Sequence, residues 1–297
     1  MVVRRRLDVQ LVQTGRFESR TRARGAILAG QVYVDGMKVD KPGYQVTEEA
    51  LIEIRVDPNP YVSRGGLKLE AALDAFGVNP YGKVALDAGA STGGFTHCLL
   101  QRGACRVYAV DVGYGQLDWT LRQDSRVVVF ERTNLRYLGP DDLDPLPSLT
   151  TLDLSFISLA KVLPAVAGFL APGGEVVALV KPQFEAGAKA VGRGGIVRSA
   201  ETHRQVLANV SAAAAGLGFI VGDFAPSPLR GGDGNREFFI WLKLPAVTAN
   251  TPNPPPGTET GGAAAGTSLV MSPATEAEII ARVVDQAWQT DHREEDG

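Results

Sequence analysis

The stretch that decides the fold runs from Val84 to Phe95 and reads Val-Ala-Leu-Asp-Ala-Gly-Ala-Ser-Thr-Gly-Gly-Phe. Its first three residues are an apolar run that predicts a buried strand of a parallel sheet, ending on Asp87. A helical pattern begins at Phe95, after a turn with three glycines. Glycine lets a ligand approach the backbone and the positive N-terminus of the helix, so this segment predicts a nucleotide-binding loop.

The order of acid and glycines separates two classes of ligand. The loop reads Asp-x-Gly-x-x-x-Gly-Gly, whereas the dinucleotide fingerprint begins Gly-x-Gly-x-x-Gly and carries its acid about 20 residues later, which disfavours a nicotinamide cofactor. An acid at the strand end suits a cationic ligand without a diphosphate, such as S-adenosylmethionine, although the spacing alone leaves this choice open. The loop residues predicted to contact the cofactor are Asp87, Gly89, Ser91, Gly93, Gly94 and Phe95.

From Val84 onward, short apolar runs alternate with helical patterns, which predicts a Rossmann-like, doubly wound α/β sheet. Ligands of such sheets bind beyond the carboxyl ends of the strands. An alanine-rich helix is predicted at 202–217. After the first strand, the predicted strands are 107–110, 127–130, 150–156, 176–180, 218–223 and 238–242.

Two polar residues at strand ends are further candidates for the cofactor site. Asp111 ends the second strand of the sheet, where a carboxylate can accept hydrogen bonds from both hydroxyls of a ribose. Asn134 follows the third strand, where a side-chain amide could read an adenine edge. For Asp111, a solvated turn residue is the alternative interpretation.

Lys181 stands directly after the apolar run 176–180, and an unpaired ammonium group buried there would cost several kcal/mol. We therefore expect a carboxylate beside it, and Asp153, at the end of the adjacent strand, is the candidate. Glu237 and Lys68 are placed to complete a square of alternating charge. Taken singly, each of the four is explained as well by a salt bridge or a solvated side chain.

The first 60 residues form a separate small module. A helix is predicted to stop at Gly15, a second spans 19–28 with Ser19 as its cap, and a hairpin turns at Asp35-Gly36, with a last strand at 52–56. Arg16, Arg20 and Arg24 are four residues apart, which predicts one helix face that contacts successive phosphates. A solvated helix face is the alternative. Eight arginines are candidates for contacts with phosphates: Arg4, Arg5, Arg6, Arg16, Arg20, Arg22, Arg24 and Arg64.

Charge is distributed unevenly along the 297 residues. Residues 1–64 hold 11 Lys and Arg against 8 Asp and Glu, and residues 65–244 hold 17 of each. Residues 245–297 hold 2 against 8. A basic head on a neutral body indicates a polyanionic partner, whereas the acidic tail is typical of a solvated segment.

Composition disfavours several classes of protein. No apolar run approaches the ~20 residues of a transmembrane helix, and Met1 to Arg6 leads into no apolar signal core, so we expect a cytoplasmic protein without a membrane partner. Cys98 and Cys105 lack metal-ligand spacing and are interpreted as packing thiols. Neither a disulfide nor a metal site is therefore expected.

These patterns predict four segments. Residues 1–60 form the basic module with a short proline-containing hinge, and residues 61–245 form the α/β domain. Residues 246–272, rich in Pro, Gly, Thr and Ala, are predicted to be a disordered linker. Residues 273–297 are predicted to form a helix, at 274–288, that docks on the body and an acidic tail.

Residues 4–50 resemble a known RNA-binding domain. The pattern Arg-Leu-Asp-x-x-Leu-Val-x-x-Gly-x-x-x-Ser-Arg-x-x-Ala, followed by Ile-x-x-Gly-x-Val-x-Val-Asp-Gly, is similar to the S-four-type domain of ribosomal proteins and pseudouridine synthases. This resemblance implies that the head docks on structured RNA, and the eight arginines named above are the predicted RNA-binding residues.

The remaining motifs, with that head, resemble the TlyA (hemolysin-like) family of rRNA ribose methyltransferases, whose body is of the FtsJ type. They are Leu-Asp-Ala-Gly-Ala-Ser-Thr-Gly-Gly-Phe-Thr, Asp-Val-Gly-Tyr-Gly-Gln-Leu, Asp-Leu-Ser-Phe-Ile-Ser-Leu, Val-Lys-Pro-Gln-Phe-Glu, Tyr-Val-Ser-Arg-Gly-Gly-x-Lys-Leu and Gly-Asn-x-Glu-Phe-Phe-x-Trp. The resemblance covers residues 4–244. The family's catalytic tetrad falls on the four charged residues singled out above, Lys68, Asp153, Lys181 and Glu237.

The resemblance implies S-adenosylmethionine as cofactor and methylation of cytidine 2′-hydroxyls in ribosomal RNA, on the small or large subunit or on both. It also implies ribosomal subunits as partners and a link to capreomycin and viomycin sensitivity. In this interpretation Lys181, held by Asp153 and Glu237, orients the hydroxyl and stabilises the developing alkoxide, and Lys68 positions the RNA or the carboxylates.

Two other functions remain as alternatives. The family's older name suggests a membrane-active hemolysin, but the predicted helix at 274–288 is acidic on its polar side, which is unfavourable for anionic lipid. A nonenzymatic RNA-binding or ribosome assembly factor would have lost part of the catalytic set, and Asp87, Asp111, Lys181 and Glu237 are all present.

Overall fold

The computed structural model describes residues 4–28, 30–55, 59–187, 190–232, 234–246 and 273–289. The chain divides into two compact units, Met1–Asn59 and Pro60–Gly297. The first contains β1 (Arg4–Arg6), α1 (Leu7–Gln13), α2 (Arg20–Leu28), β2 (Val32–Val34), β3 (Met37–Lys38), β4 (Gln45–Thr47) and β5 (Ile52–Ile54).

The first unit packs its two helices against short strands. Buried apolar residues such as Leu7, Leu11, Ile27 and Val32 form one core. The two central residues of the β2–β3 turn, Asp35-Gly36, have positive φ, which is the geometry of the hairpin that the sequence predicts.

Residues 4–6, for which the sequence predicts no element, form β1, which pairs with β4. One expectation for this unit is wrong. Arg16 lies before α2 rather than on it, so it does not share a helix face with Arg20 and Arg24. The predicted cap is confirmed, since the hydroxyl of Ser19 accepts from the backbone N–H of Arg22 at 3.3 Å. Val56 lies outside the described residues.

The second unit is a three-layer α/β domain. Its elements are α3 (Gly65–Phe76), β6 (Val84–Ala88), α4 (Gly94–Gln101), β7 (Arg106–Val110), α5 (Trp119–Gln123), β8 (Val127–Phe130), β9 (Leu149–Leu152), α6 (Leu163–Phe169), β10 (Glu175–Val180), α7 (Pro182–Glu185), α8 (Ala200–Gly216), β11 (Ile220–Pro226), β12 (Phe238–Lys243) and α9 (Pro273–Gln289).

The seven-stranded sheet has the order β11-β12-β10-β9-β6-β7-β8. Neighbours from β10 to β8 are parallel, whereas β12 runs antiparallel to both β10 and β11. The predicted α/β class is confirmed, with this one reversed strand. The reversal brings the beginning of β12 to the edge of the sheet where the parallel strands end.

Alternation along β10 shows why both faces of the sheet are covered. Val176, Ala178 and Val180 belong to one core cluster, with residues of α6, α8 and α9. Val177 and Leu179 belong to the other, with residues of α3 and α4. Successive side chains of a strand point to opposite faces, so an unbroken apolar run predicts a strand buried on both sides.

Two further expectations are corrected. The fourth strand of the sheet ends at Leu152 instead of 156, and the chain then turns through Phe156, whose φ is +64°. Cys98 is buried as expected, but Cys105 is exposed because it precedes β7 rather than facing a core.

The last described helix, α9, packs on α8 and β11 and buries Ile280, Val283 and Val284. The predicted docking of this helix on the body is therefore confirmed. Most of the predicted linker and the acidic tail lie outside the described residues. None of the described helices is long and apolar enough to cross a membrane.

Candidate active site

The glycine loop after β6 is tightly packed against the end of β9. Gly89 has a φ of +83°, and a Cβ placed there would lie 2.3 Å from the carbonyl oxygen of Asp153. A Cβ on Gly94 would lie 2.2 Å from the hydroxyl of Ser63 and 2.9 Å from the backbone nitrogen of Gly66. These two positions therefore require glycine, because the loop approaches backbone of two other segments.

Asp87 lies beneath the loop. Its side chain is fully buried and accepts a hydrogen bond of 2.7 Å from the hydroxyl of Thr96 on α4. Burial, partly offset by Thr96, raises the pKa of Asp87 to about 7. Asp87 does not line either of the two cavities described below, and its contact with the cofactor stays a prediction.

Asp111 bridges the loop and the segment after β7. Its carboxylate accepts from the backbone N–H of Ser91 at 2.9 Å and from that of Gly113 at 2.6 Å. It borders a small hollow with apolar walls. The other residues of this hollow, most of which sequence reasoning missed, are Ala90, Ser91, Ala109, Gly113, Gln116, Leu117, Val129 and Glu131.

Asn134 has a local role in this structure. Its amide oxygen accepts from the backbone N–H of Arg136 at 3.1 Å and caps a short 3₁₀ turn at 135–137. It is absent from the lining of both described cavities. The contact of Asn134 with an adenine edge stays a prediction.

The register of the sheet gathers the four charged residues. Val180 pairs with Phe238 across β10 and β12, so Lys181 and Glu237 leave the sheet side by side. Leu152 pairs with Ala178 and Ala88, which brings Asp153 to the same edge. Lys68 comes from α3, and two ion pairs result.

The first ion pair joins Lys181 to Asp153, with Nζ and Oδ1 2.7 Å apart. Lys181 also donates to the hydroxyl of Ser155 at 3.0 Å. Its side chain is only 12% exposed, so the carboxylate expected beside this buried ammonium group is present.

The second ion pair joins Lys68 to Glu237 at 2.6 Å, and the side chain of Glu237 is 2% exposed. Burial raises the pKa of Glu237, while the charges of Lys68 and Lys181 oppose the rise and that of Asp153 adds to it. The influence of Lys181 and Asp153 on Glu237 shows that the two pairs form one electrostatic centre.

A polar cavity of about 260 Å³ opens between the loop and this centre. Lys68 and Asp153 line it, and their ion-pair partners are Glu237 and Lys181. The full lining is Ser63, Arg64, Gly65, Lys68, Gly89, Ala90, Ser91, Thr92, Gly94, Phe95, Asp153, Leu229, Arg230 and Gly232. Sequence reasoning found much of the loop, but it missed Ser63, Thr92 and the segment 229–232, because a loop carries no periodicity that would place it.

Two polar residues that tie loops of this unit together were also missed. Asn235 is fully buried; its amide oxygen accepts from the backbone N–H of Val197 at 2.9 Å, and its amide nitrogen donates to the carbonyl of Gly195 at 2.9 Å. Glu185 accepts from the hydroxyl of Ser158 at 2.6 Å and from the backbone N–H of Leu159 at 2.8 Å. Their place within the Gly-Asn-x-Glu and Lys-Pro-Gln-Phe-Glu runs was the available signal.

The arginines of the head divide into two groups. Arg6 and Arg20 lie 3.0 and 2.9 Å from the fully buried carboxylate of Asp8, and the hydrogen bond from Arg6 is the main reason that the pKa of Asp8 falls to about 2. Arg5 pairs with Glu48, and Arg22 with Glu18. Within the described part of the chain, the remaining arginines of the head's predicted RNA-binding set form no ion pair; they are Arg4, Arg16 and Arg24, all exposed. Arg64, in the second unit, lines the cavity.

Comparison with known families finds two matches in this chain. Residues 61–244 match the FtsJ-like methyltransferase family, and residues 5–52 match the S4 domain. A Bacillus subtilis protein named as an rRNA methyltransferase, YqxC, is 50% identical over 81% of this chain and 86% of its own length.

Two further proteins extend this similarity. The Mycobacterium tuberculosis protein named 16S/23S rRNA (cytidine-2′-O)-methyltransferase TlyA is 46% identical over 82% of this chain and 91% of its own length. A solved Streptococcus thermophilus structure that carries a hemolysin name is 40% identical, covers all of both chains and has a TM-score of 0.71. The chain therefore belongs to the FtsJ-like methyltransferase family, in the group that joins this enzyme domain to an S4 domain and includes TlyA.

Proposed function

We propose that this protein transfers the methyl group of S-adenosylmethionine to the 2′-hydroxyl of a cytidine in ribosomal RNA. The observation that carries the proposal is the pair of ion pairs, Lys181 with Asp153 and Lys68 with Glu237, beside the glycine loop. A sheet edge with a cofactor loop and two lysines held by carboxylates suits transfer to an oxygen nucleophile that needs orientation and charge stabilisation.

The residues present fit S-adenosylmethionine. Asp111 offers carboxylate oxygens for a ribose, and Leu117 and Val129 beside it offer apolar surface for a base. The glycine loop leaves room in the larger cavity for the methionine portion. When bound, this group supplies the electrophilic methyl.

The charged centre would act on the acceptor. A lysine ammonium group at the sheet edge donates to the ribose hydroxyl oxygen and stabilises the negative charge that develops on it. We assign this role to Lys181, because Asp153 and Ser155 fix its Nζ. Lys68, which lines the cavity and is held by Glu237, positions the nucleotide.

Three features support RNA as the acceptor. The head matches the S4 domain, an RNA-binding domain. Its residues Arg4, Arg16 and Arg24 are exposed and form no ion pair within the described part of the chain, so they can contact phosphates. The names of the relatives specify cytidine in 16S and 23S rRNA. We therefore propose ribosomal subunits as partners of this chain.

Purified protein tests the proposal. Incubation of ribosomal subunits and free rRNA with methyl-labelled S-adenosylmethionine should place label in 2′-O-methylcytidine after complete nuclease digestion. Label in a base, or none with either subunit or free rRNA, would count against the proposal. Calorimetry with S-adenosylmethionine separates a methyltransferase from an RNA-binding factor that has lost cofactor affinity.

A further inference from the structure

The helix α9 contacts the residue before Glu237. Arg236 Nε donates to the carbonyl of Ala287 at 3.2 Å. The guanidinium carbon of Arg236 lies 3.9 Å from the ring centroid of Trp288, within the range of a cation–π interaction. The backbone immediately before the buried carboxylate is therefore tied to the last turn of α9.

The same helix reaches the residue after Glu237 through a histidine. Trp288 Nε1 donates to Nδ1 of His203 on α8 at 3.2 Å, and the His203 ring packs edge-on against Phe238 with centroids 5.3 Å apart. His203 is fully buried, and burial, with the charge of Arg236, lowers its pKa to about 4. A neutral imidazole can accept the indole hydrogen bond.

Trp288 is itself held firmly in place. One face of α9 is buried on the body through Ile280, Val283 and Val284, and the exposed pair of Asp285 with Arg204 of α8, at 2.8 Å, adds little to this packing. The helix thus presents Trp288 from a fixed platform. None of these residues lies within 61–244, the range that matches the methyltransferase family, except Arg204.

We propose that α9 is a positioning element for the catalytic centre, with Trp288 and Arg236 as positioning residues that fix the backbone on both sides of Glu237. Glu237 must meet Lys68 at hydrogen-bond distance while buried, so a small displacement of residues 236–238 would separate the pair. The proposal rests on the methyltransferase function proposed above and adds that an element outside the matched domain sets the geometry of its site.

Steady-state kinetics of the full chain test this. We expect Trp288→Ala to lower kcat for rRNA methylation about tenfold while the KM values for RNA and S-adenosylmethionine stay within about twofold. Trp288→Phe keeps a ring over Arg236 but cannot donate to His203, so it should recover part of the loss. Asp285→Asn is the matched control on the same helix, and its kcat should equal that of the wild type.

Arg236→Gln attacks the contact from the other partner and should also lower kcat, which keeps the test decisive if Trp288→Ala does not fold. Normal kcat in folded Trp288→Ala or, failing that, in Arg236→Gln would overturn the proposal. So would an Asp285→Asn enzyme that loses as much activity as Trp288→Ala, since α9 would then contribute stability alone.

Hydrogen exchange gives a readout that does not need activity. The backbone N–H of Ser227 donates to the carbonyl of Glu237 at 2.9 Å and reports on the position of this segment. We expect this amide to exchange about tenfold faster in Trp288→Ala or Arg236→Gln than in Asp285→Asn. Equal exchange would refute the positioning role even if the wild type proved inactive on rRNA, an outcome that would refute the proposed function separately.

Discussion

Lys181 shows how a single residue links the fold to the proposed chemistry. It directly follows the buried strand β10, its side chain is 12% exposed, and its ammonium group contacts Asp153 and Ser155. Removing the ammonium group would leave Asp153 without its partner but would not touch the hollow beside Asp111. Methyl transfer and cofactor binding should therefore be separable at this position.

The substitution Lys181→Ala tests that separation. We expect the rate of methyl transfer to fall by about 10²–10³-fold, as for the loss of a group that stabilises transition-state charge, with S-adenosylmethionine affinity within about threefold of wild type. Radiolabel transfer and calorimetry measure the two quantities. Lys83→Ala is the control, because Lys83 forms a comparable pair with Glu175 at the start of β10, the end of the strand opposite to Lys181. Normal turnover by Lys181→Ala would refute the assignment.

Asp87 provides a test of stability against pH. Its folded-state pKa of about 7 lies above the ordinary value of 3.8, so the carboxyl ionises more readily in the unfolded chain. The folded protein therefore loses stability, relative to a variant without this group, as the pH rises from about 4 to about 7.

Asp87→Asn retains an oxygen that can accept from Thr96 and removes the buried charge. We expect the variant to gain stability over wild type by up to about 4 kcal/mol at pH 8, with the advantage disappearing near pH 4. Denaturant titrations of both proteins at the two pH values measure this difference. A difference that is the same at pH 4 and pH 8 would contradict the raised pKa.

Sequence predicted the partner of Lys181 but not the burial of Asp87, for a physical reason. A lysine at the end of an apolar run must be neutralised, so the need for Asp153 follows from energetics. Asp87 belongs to β6, where alternation places it on the face with Ala85, under α4, and only the tertiary packing of Thr96 decides where its carboxyl lies. The roles of Asn235 and Glu185 depend in the same way on loops that pack from a distance.

At the scale of elements, the glycine loop is the part that sequence predicts best. Strand, turn and helix fall at Val84–Ala88, 89–93 and Gly94–Gln101, within a residue or two of the prediction. The pattern could not reveal that the loop rests on the backbone of Asp153, since that contact joins residues far apart in the chain. Gly89 is the position where this contact can be tested.

Gly89→Ala should disturb both stability and the site. A side chain at positive φ costs about 1 kcal/mol, and a Cβ 2.3 Å from a carbonyl oxygen adds a clash that moves the loop away from Asp153. Gly82→Ala is the control, because Gly82 has a φ of +69° and an added Cβ meets nothing within 4 Å. We expect Gly89→Ala alone to weaken S-adenosylmethionine binding, measured by calorimetry; equal affinity in both variants would contradict the packing argument.

The direction of β12 and the existence of β1 could not be predicted from the sequence. The alternating pattern predicts a parallel sheet and finds β12, but an apolar run is the same for a parallel and an antiparallel strand buried on both faces. The reversal of β12 is what brings Glu237 beside Lys181. Likewise, three arginines at 4–6 carry no strand signal, and only pairing with β4 explains β1.

For the molecule as a whole, the head is proposed to supply RNA affinity, and its arginines differ in how they can be tested. Arg20 and Arg6 hold the buried Asp8, so replacing either would disturb folding as well as RNA binding. Arg24 is exposed on α2 and forms no ion pair within the described residues, which makes it the cleaner probe.

Arg24→Ala should weaken binding to rRNA. It should also lower the magnitude of the slope of log K against log salt concentration by about one, as for the loss of one phosphate contact. S-adenosylmethionine affinity should not change. Arg55→Ala is the control in the same unit, because Arg55 pairs with Glu53 and stacks on Tyr33. Binding titrations over a range of salt concentrations measure the slope, and equal slopes for wild type and Arg24→Ala would remove Arg24 from the RNA-binding surface.

The most direct test of the central claim is a map of 2′-O-methyl groups on ribosomal RNA from cells that lack this protein. We expect that at least one cytidine methylation is missing, returns with the wild-type chain and does not return with Lys181→Ala expressed at the same level. An unchanged methylation map in the absence of the protein would contradict the proposed function, and full restoration by Lys181→Ala would contradict the role of Lys181.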